Sequence, residues 1–201
     1  MEKRLVLSSR NNYKLTELKG LLSDLEIQIA SLKDFPEMPP VVEDGKTFKE
    51  NAAKKALAAA QFTKLLALAD DSGLEVDALH GQPGVLSARF SGEGATDEAN
   101  NARLLELLRD VPEGKRAARF RCAIAIATPE GQIEYAEGSC EGAIAFAPRG
   151  TNGFGYDPLF MPDGFGGRTF AELQPGEKNA ISHRGRALAA TRQLLVARFA
   201  V

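Results

Sequence analysis

Strand-like apolar runs alternate with helix-like segments through the first third of this chain and then give way to one long hairpin, and that order restricts the fold more than any other feature. The run from Arg4 to Ser8 precedes a segment to about Leu22 whose Leu15, Leu18, Leu21 and Leu22 share one helical face. Glu26 to Leu32 predicts a second strand, after which Pro36, Pro39 and Pro40 exclude regular helix or central strand. Thr47 followed by Glu50 has the spacing of a capping box, and the alanine-rich stretch beyond it predicts a helix to about Thr63. Leu65 to Asp70 reads as a buried strand, Asp70-Asp71-Ser72-Gly73 as a polar turn, and Leu74 to Val76 as a short strand. An irregular glycine-containing segment leads to Thr96, which caps a helix bearing Leu104, Leu105, Leu107 and Leu108. Arg116 to Thr128 alternates like a strand, and Pro129-Glu130-Gly131 turns it into a second strand from Ile133 toward Ala147. Pro148 to Gly167 reads as a loop region, and a helix to about Phe199 follows Glu177 to Ser182. The expected fold is α/β: a mixed central sheet flanked by helices, in one domain over residues 1–201 with a cleft.

With 27 acidic against 25 basic residues, the formal charge is -2, too little to create a field that would hold a nucleic acid polymer or an anionic membrane. Any anionic ligand must be met by local groups. The first residues lack the apolar core of a signal peptide, and no apolar run approaches the roughly 20 residues of a membrane span. A soluble, cytoplasmic protein is expected. Cys122 and Cys140 are too few for a disulfide framework or a cysteine zinc site. They read as buried fillers that could face each other across the hairpin.

Four clusters carry chemistry. The loop from Ser8 to Lys14 joins the first strand to the first helix, where backbone amides and the helix dipole favour phosphate. Taken alone, a polar helix start with a solvated lysine is the simpler reading. Adjacent carboxylates at Asp70 and Asp71 repel unless a cation or donors offset them. Magnesium binding, joined by Glu43 or Asp44, and capping of a turn are both open on spacing. Gly153 to Pro158 combines mobile backbone, two aromatics and a carboxylate, suited to stacking on a purine. Lys178, His183 and Arg184 concentrate donors at the start of the last helix, whereas His80 stands alone.

The strings SSRNNYK, TFKENAAKKA, ADDSGLEVDAL, GVLSARFSG, TNGFGYDPLF and EKNAISHRGRAL, in that order, resemble the inosine triphosphate pyrophosphatase family, which cleaves non-canonical purine nucleoside triphosphates. One departure is Ser9-Arg10-Asn11, where relatives often carry Thr-Gly-Asn. The resemblance implies a two-lobed mixed α/β fold around a nucleotide cleft, a homodimer, and hydrolysis of ITP, dITP and XTP to the monophosphate and pyrophosphate. It implies that Ser9, Asn11 and Lys14 hold the triphosphate, and that Glu43 and Asp71 bind Mg2+ (or Mn2+), with Asp71 also activating water. It implies further that Ser72 touches substrate, that Phe154 stacks on the base, and that Gly155, Tyr156, Asp157, Lys178, His183 and Arg184 line the nucleotide pocket. Donors such as His183 and Arg184 suit a 6-oxo purine and reject the amino group of adenine, while Lys178 near C2 would disfavour guanine. Two other readings remain: a Maf-like pyrophosphatase of pyrimidine or modified nucleotides, against which the HRG and FGYDP strings speak, and a non-catalytic purine nucleotide sensor, against which the acidic pair speaks.

Overall fold

The protein is described over residues 3–199 from a computed structural model. Strand β1 (Arg4–Leu7) leads through helix α1 (Asn12–Leu21) to β2 (Gln28–Ser31). Helix α2 (Phe48–Thr63) precedes β3 (Leu66–Val76), and α3 (Asp97–Leu107) precedes β4 (Ala117–Ala127). Strands β5 (Ile133–Ile144) and β6 (Phe160–Pro162) are followed by helices α4 (Pro175–Ile181) and α5 (His183–Phe199). The six strands form one sheet in the order β2-β1-β3-β4-β5-β6. β1 runs parallel to both β2 and β3, pairing Leu5 with Ile29 and with Leu66, so α1 and α2 serve as the crossovers that parallel neighbours require. β5 and β6 are antiparallel, with Ile144 opposite Phe160, which makes the sheet mixed as expected. The β4–β5 turn is closed by the Thr128 amide donating to the Gln132 carbonyl at 2.9 Å, with Gly131 at φ +96°, a conformation that glycine adopts without strain.

The chain divides into two compact units, one holding the residues up to Asp71, Cys122–Glu137 and the residues from Ala187, the other holding Ser72–Arg121 and Gly138–Arg186. In the first unit the two faces of the strands bury different side chains. Leu5, Leu7, Leu68, Ile124 and Ile126 pack with Leu18 of α1 and Leu188 and Leu195 of α5. Val6, Ala67, Ala69, Ala125 and Ala127 pack with Ala52, Ala56, Ala59 and Ala60 of α2. The second unit has its own core, in which Leu104 and Leu108 meet Phe120, Phe160 and Phe170. Its Phe120 and Phe160 rings meet edge to face at 4.7 Å, a geometry aromatic quadrupoles favour.

Four expectations are corrected. Asp70-Asp71-Ser72-Gly73 is no turn: β3 runs unbroken from Leu66 to Val76, so the acidic pair lies inside a strand. The second strand is shorter than Glu26 to Leu32, because Ser31 forms a capping box with Asp34 and starts a 3-10 turn. Thr47 caps α2 through the Glu50 amide, but the Glu50 carboxylate accepts from the Lys46 amide, one residue before the position a capping box needs. The region from Pro148 to Gly167 contains β6, too short to show a period. Both cysteines are free and buried, Cys122 in the core of the first unit and Cys140 in that of the second. Among the described residues, no helix is long and apolar enough to cross a membrane.

Candidate active site

Strand geometry decides where the acidic pair points. Successive side chains of a strand face opposite sides, so Asp70 follows Leu68 onto the α1 face and Asp71 follows Ala69 onto the α2 face. Asp70, 4% exposed, accepts from Lys14 Nζ at 2.7 Å. Asp71 meets a different set of donors: Asn51 Nδ2 at 3.1 Å and Lys55 Nζ at 3.4 Å, both from α2. The same Lys55 ammonium donates to Glu43 Oε2 at 2.8 Å, which brings Glu43 and Asp71 onto one cation. Asp44 instead pairs with Lys54 at the surface.

Asn51 and Lys55, one helical turn apart, are not marked by the motif reading above. The available signal is two polar residues at the spacing of the buried alanine face of α2, where a polar group must find partners. Asn51 is 1% exposed and fully used, its Oδ1 accepting from the Gly45 amide at 2.8 Å while its Nδ2 serves Asp71. A side chain at Gly45 would strike Asn51 Oδ1 at 2.6 Å, so the loop carrying Glu43 is held close to α2 by an atom that tolerates no side chain there.

Three carboxylates (Glu43, Asp70, Asp71) thus meet two ammonium groups (Lys14, Lys55), leaving one net negative charge among these side chains. Burial works against the charge of Lys55, but Asp71 and Glu43 outweigh it and its pKa is raised. Burial also pushes the Asp71 carboxyl up, more than Lys55 and Asn51 pull it down. Asp71 is therefore under-compensated, and the pair Glu43–Asp71, already converging on an ammonium, has the hard oxygen donors a divalent cation takes.

The loop that precedes α1 lies in the same unit. The Ser9 hydroxyl accepts from the Asn11 amide at 3.1 Å, and the first helical bond runs from Leu15 to the Asn11 carbonyl. Lys14 therefore lies in the first turn of the helix, not in the loop. Arg10 reaches the Met38 carbonyl at 3.4 Å, so its side chain is directed to the proline-containing segment. Ser72, next in β3, is half-buried and belongs to the second unit.

In the second unit Asp157, 3% exposed, accepts at Oδ2 from Lys178 Nζ at 2.5 Å and from the Phe154 amide at 2.9 Å. Burial nonetheless holds its pKa above the usual carboxylate range. A Cβ at Gly153, where φ is +80°, would lie 1.9 Å from that oxygen, so only glycine lets the chain turn this tightly around Asp157. The Lys178 ammonium lies 5.0 Å from the centre of the Phe154 ring, within cation–π range, and Phe154 is 71% exposed. His183, the first residue of α5, stacks on Phe120 at 4.7 Å and 12°, with half-buried Arg184 beside it. Tyr156, expected to line the pocket, is a core residue: it is 4% exposed and its hydroxyl donates to the Ser87 carbonyl at 2.8 Å.

A profile of the Ham1 family matches residues 5–194, almost the whole chain. The chain belongs to the Ham1 family. It is 57% identical over 192 residues to the dITP/XTP pyrophosphatase of Desulforamulus reducens, covering 96% of this chain and 95% of that protein. It is 58% identical over 186 residues to the dITP/XTP pyrophosphatase of Geobacter sulfurreducens, covering 92% and 93%. The solved structure of a Ham1 protein from Coxiella burnetii superposes with a TM-score of 0.92 at 46% identity, over 97% of this chain and 99% of that one. These likenesses carry the α/β Ham1 fold to this chain.

Proposed function

We propose that this Ham1 protein hydrolyses non-canonical purine nucleoside triphosphates (dITP, XTP and ITP) to the monophosphate and pyrophosphate. The carrying observation is the convergence of Glu43 and Asp71 on the Lys55 ammonium, inside a cluster where three carboxylates meet the Lys14 and Lys55 ammonium groups. A triphosphate would be repelled by that cluster unless a divalent cation joined it, which argues for a metal-dependent enzyme over a passive sensor. Glu43 and Asp71 are the residues that would hold magnesium, and bound there it would supply charge neutralisation on the polyphosphate. Ser9, Asn11 and Lys14, at the electropositive start of α1, meet phosphate oxygens. Asp71 takes one proton from the attacking water as the new oxygen–phosphorus bond forms at the α phosphorus and the α–β bridge breaks, so the pyrophosphate departs with the bridging oxygen. Little covalent chemistry is asked of the protein, as is usual in attack at phosphorus.

The second unit reads the base. Phe154 offers an exposed ring for stacking, and Lys178, His183 and Arg184 offer donors to the 6-oxo edge of hypoxanthine or xanthine. Adenine turns an amino donor toward these donors and leaves them unpaired, which is the costly form of mismatch. The protein is proposed to act as a homodimer on the cytoplasmic nucleotide pool.

Pyrophosphate release from a panel of common and deaminated nucleoside triphosphates tests this reading. XTP, dITP and ITP are expected to turn over at least about a hundredfold more efficiently than ATP. A chelator should stop the reaction and added magnesium restore it. Preference for a pyrimidine triphosphate, or tight binding of XTP without pyrophosphate release in magnesium, contradicts the proposal.

A further inference from the structure

We propose that Asp97 and Asn101 of α3 are positioning residues, which clamp the peptide groups of Gly155 and thereby fix the Phe154 ring where the base stacks. The inference rests on the reading of Phe154 as the stacking residue. An aromatic platform 71% exposed has little packing to hold it, and an open hollow of about 380 Å3, lined by Asp97, Asn101, Leu105, Pro148 and Phe154, lies against it. Its position must come from the backbone. The Phe154 amide donates to Asp157 Oδ2 at 2.9 Å. Immediately after it, the Gly155 amide donates to Asp97 Oδ2 at 2.6 Å and the Gly155 carbonyl accepts from Asn101 Nδ2 at 2.9 Å. Asp97 and Asn101 are one helical turn apart on one face of α3, so a single rigid element grips both polar groups of a residue held at φ +61°.

The side-chain cap of the helix comes from neither residue. Thr96 caps α3 by accepting from the Ala99 amide at 3.2 Å. Asn101 is 8% exposed, and its Oδ1 is buried without a hydrogen-bond partner among the described residues. A buried amide that leaves one end unsatisfied is costly, and its amino end reaches Gly155. A platform set before the ligand arrives spares the ordering cost of binding, so the clamp acts on affinity for the base and not on the chemical step.

The test compares Asp97→Ala, Asn101→Ala, Asp97→Asn and Phe154→Ala in steady-state kinetics with XTP, with inorganic tripolyphosphate as a base-free competitive inhibitor. Asp97→Ala and Asn101→Ala should each raise KM by about five- to tenfold with kcat within about threefold, the size expected for one lost hydrogen bond. Tripolyphosphate inhibition should stay as in the parent protein. Asp97→Asn keeps an acceptor for Gly155 but loses the charge, so it should restore the parent KM; a helix-dipole role for Asp97 would leave it as impaired as Asp97→Ala. Equal weakening of tripolyphosphate inhibition, or failure of Asp97→Asn to rescue, overturns the clamp. Faster amide hydrogen exchange at Gly155 in folded Asp97→Ala, which removes the acceptor of that amide, is the expected activity-independent sign, and unchanged protection also overturns the clamp. A raised KM in Phe154→Ala with none in the α3 variants sinks the clamp alone, whereas no rise in Phe154→Ala sinks the stacking reading and the clamp with it.

Discussion

Asp71→Asn is expected to lower kcat for XTP by about a thousandfold while the protein stays folded and still binds nucleotide, a loss in the range seen when a positioned base is removed. Asparagine is nearly isosteric with aspartate, and the amide oxygen of the variant side chain could still accept from Asn51 Nδ2, the nearer of the two donors on α2. What that side chain cannot do is take a proton from water or share a cation with Glu43. The substitution also removes the under-compensated charge that burial makes costly, so the thermal midpoint should stay level or rise slightly. Single-turnover pyrophosphate release, with nucleotide binding followed by calorimetry, separates the outcomes. Retention of more than about a tenth of the parent rate would remove Asp71 from the role of base.

The largest stability effect is expected at a residue outside the proposed site. Arg116 is 3% exposed and spends its guanidinium on backbone carbonyls of Ile144 at 2.9 Å, Leu108 at 2.7 Å, Val111 at 3.2 Å and Ala145 at 3.1 Å. The Phe146 ring covers it at 4.3 Å. Through these bonds one side chain ties the C-terminal end of α3, where a cation is favoured by the helix dipole, to the end of β5. Arg116→Met fills much of the volume but leaves four acceptors in search of donors, and should cost about 4 kcal/mol in urea unfolding. Arg116→Lys, with a charge but no planar fork, should recover roughly half. A loss below about 1 kcal/mol in Arg116→Met would mean that solvent satisfies those carbonyls and that the fork is dispensable.

The mixed sheet and its flanking helices were legible because they rest on periodicity: leucines on one face of α1, alanines along α2, alternation through β4. The β3 segment was not, because Asp, Ser and Gly are turn formers in isolation and local preference was overruled by partners distant in sequence. Lys14, Asn51 and Lys55 supply the donors that let two aspartates stay inside a strand. The consequence reaches the site, since in a continuous strand the acids face opposite sides and divide their tasks: Asp70 anchors Lys14, and Asp71 joins Glu43. The resemblance named the residues of the clusters without the α2 side chains that hold them. Asn51 and Lys55 stand in the string TFKENAAKKA, where only their helical register against the buried alanines marks them. The grip of α3 on Gly155 has no sequence signal at all, because residues 54 and 58 positions apart meet only once the second unit has folded.

The most direct test of the central claim is the anomalous scattering of manganese in crystals grown with a non-hydrolysable XTP analogue. A manganese peak shared by the Glu43 and Asp71 carboxylates, against the polyphosphate and with the Lys55 ammonium moved off Asp71, is the result expected. Nucleotide bound in the crystal with manganese elsewhere, and Lys55 still bridging the two carboxylates, would contradict it.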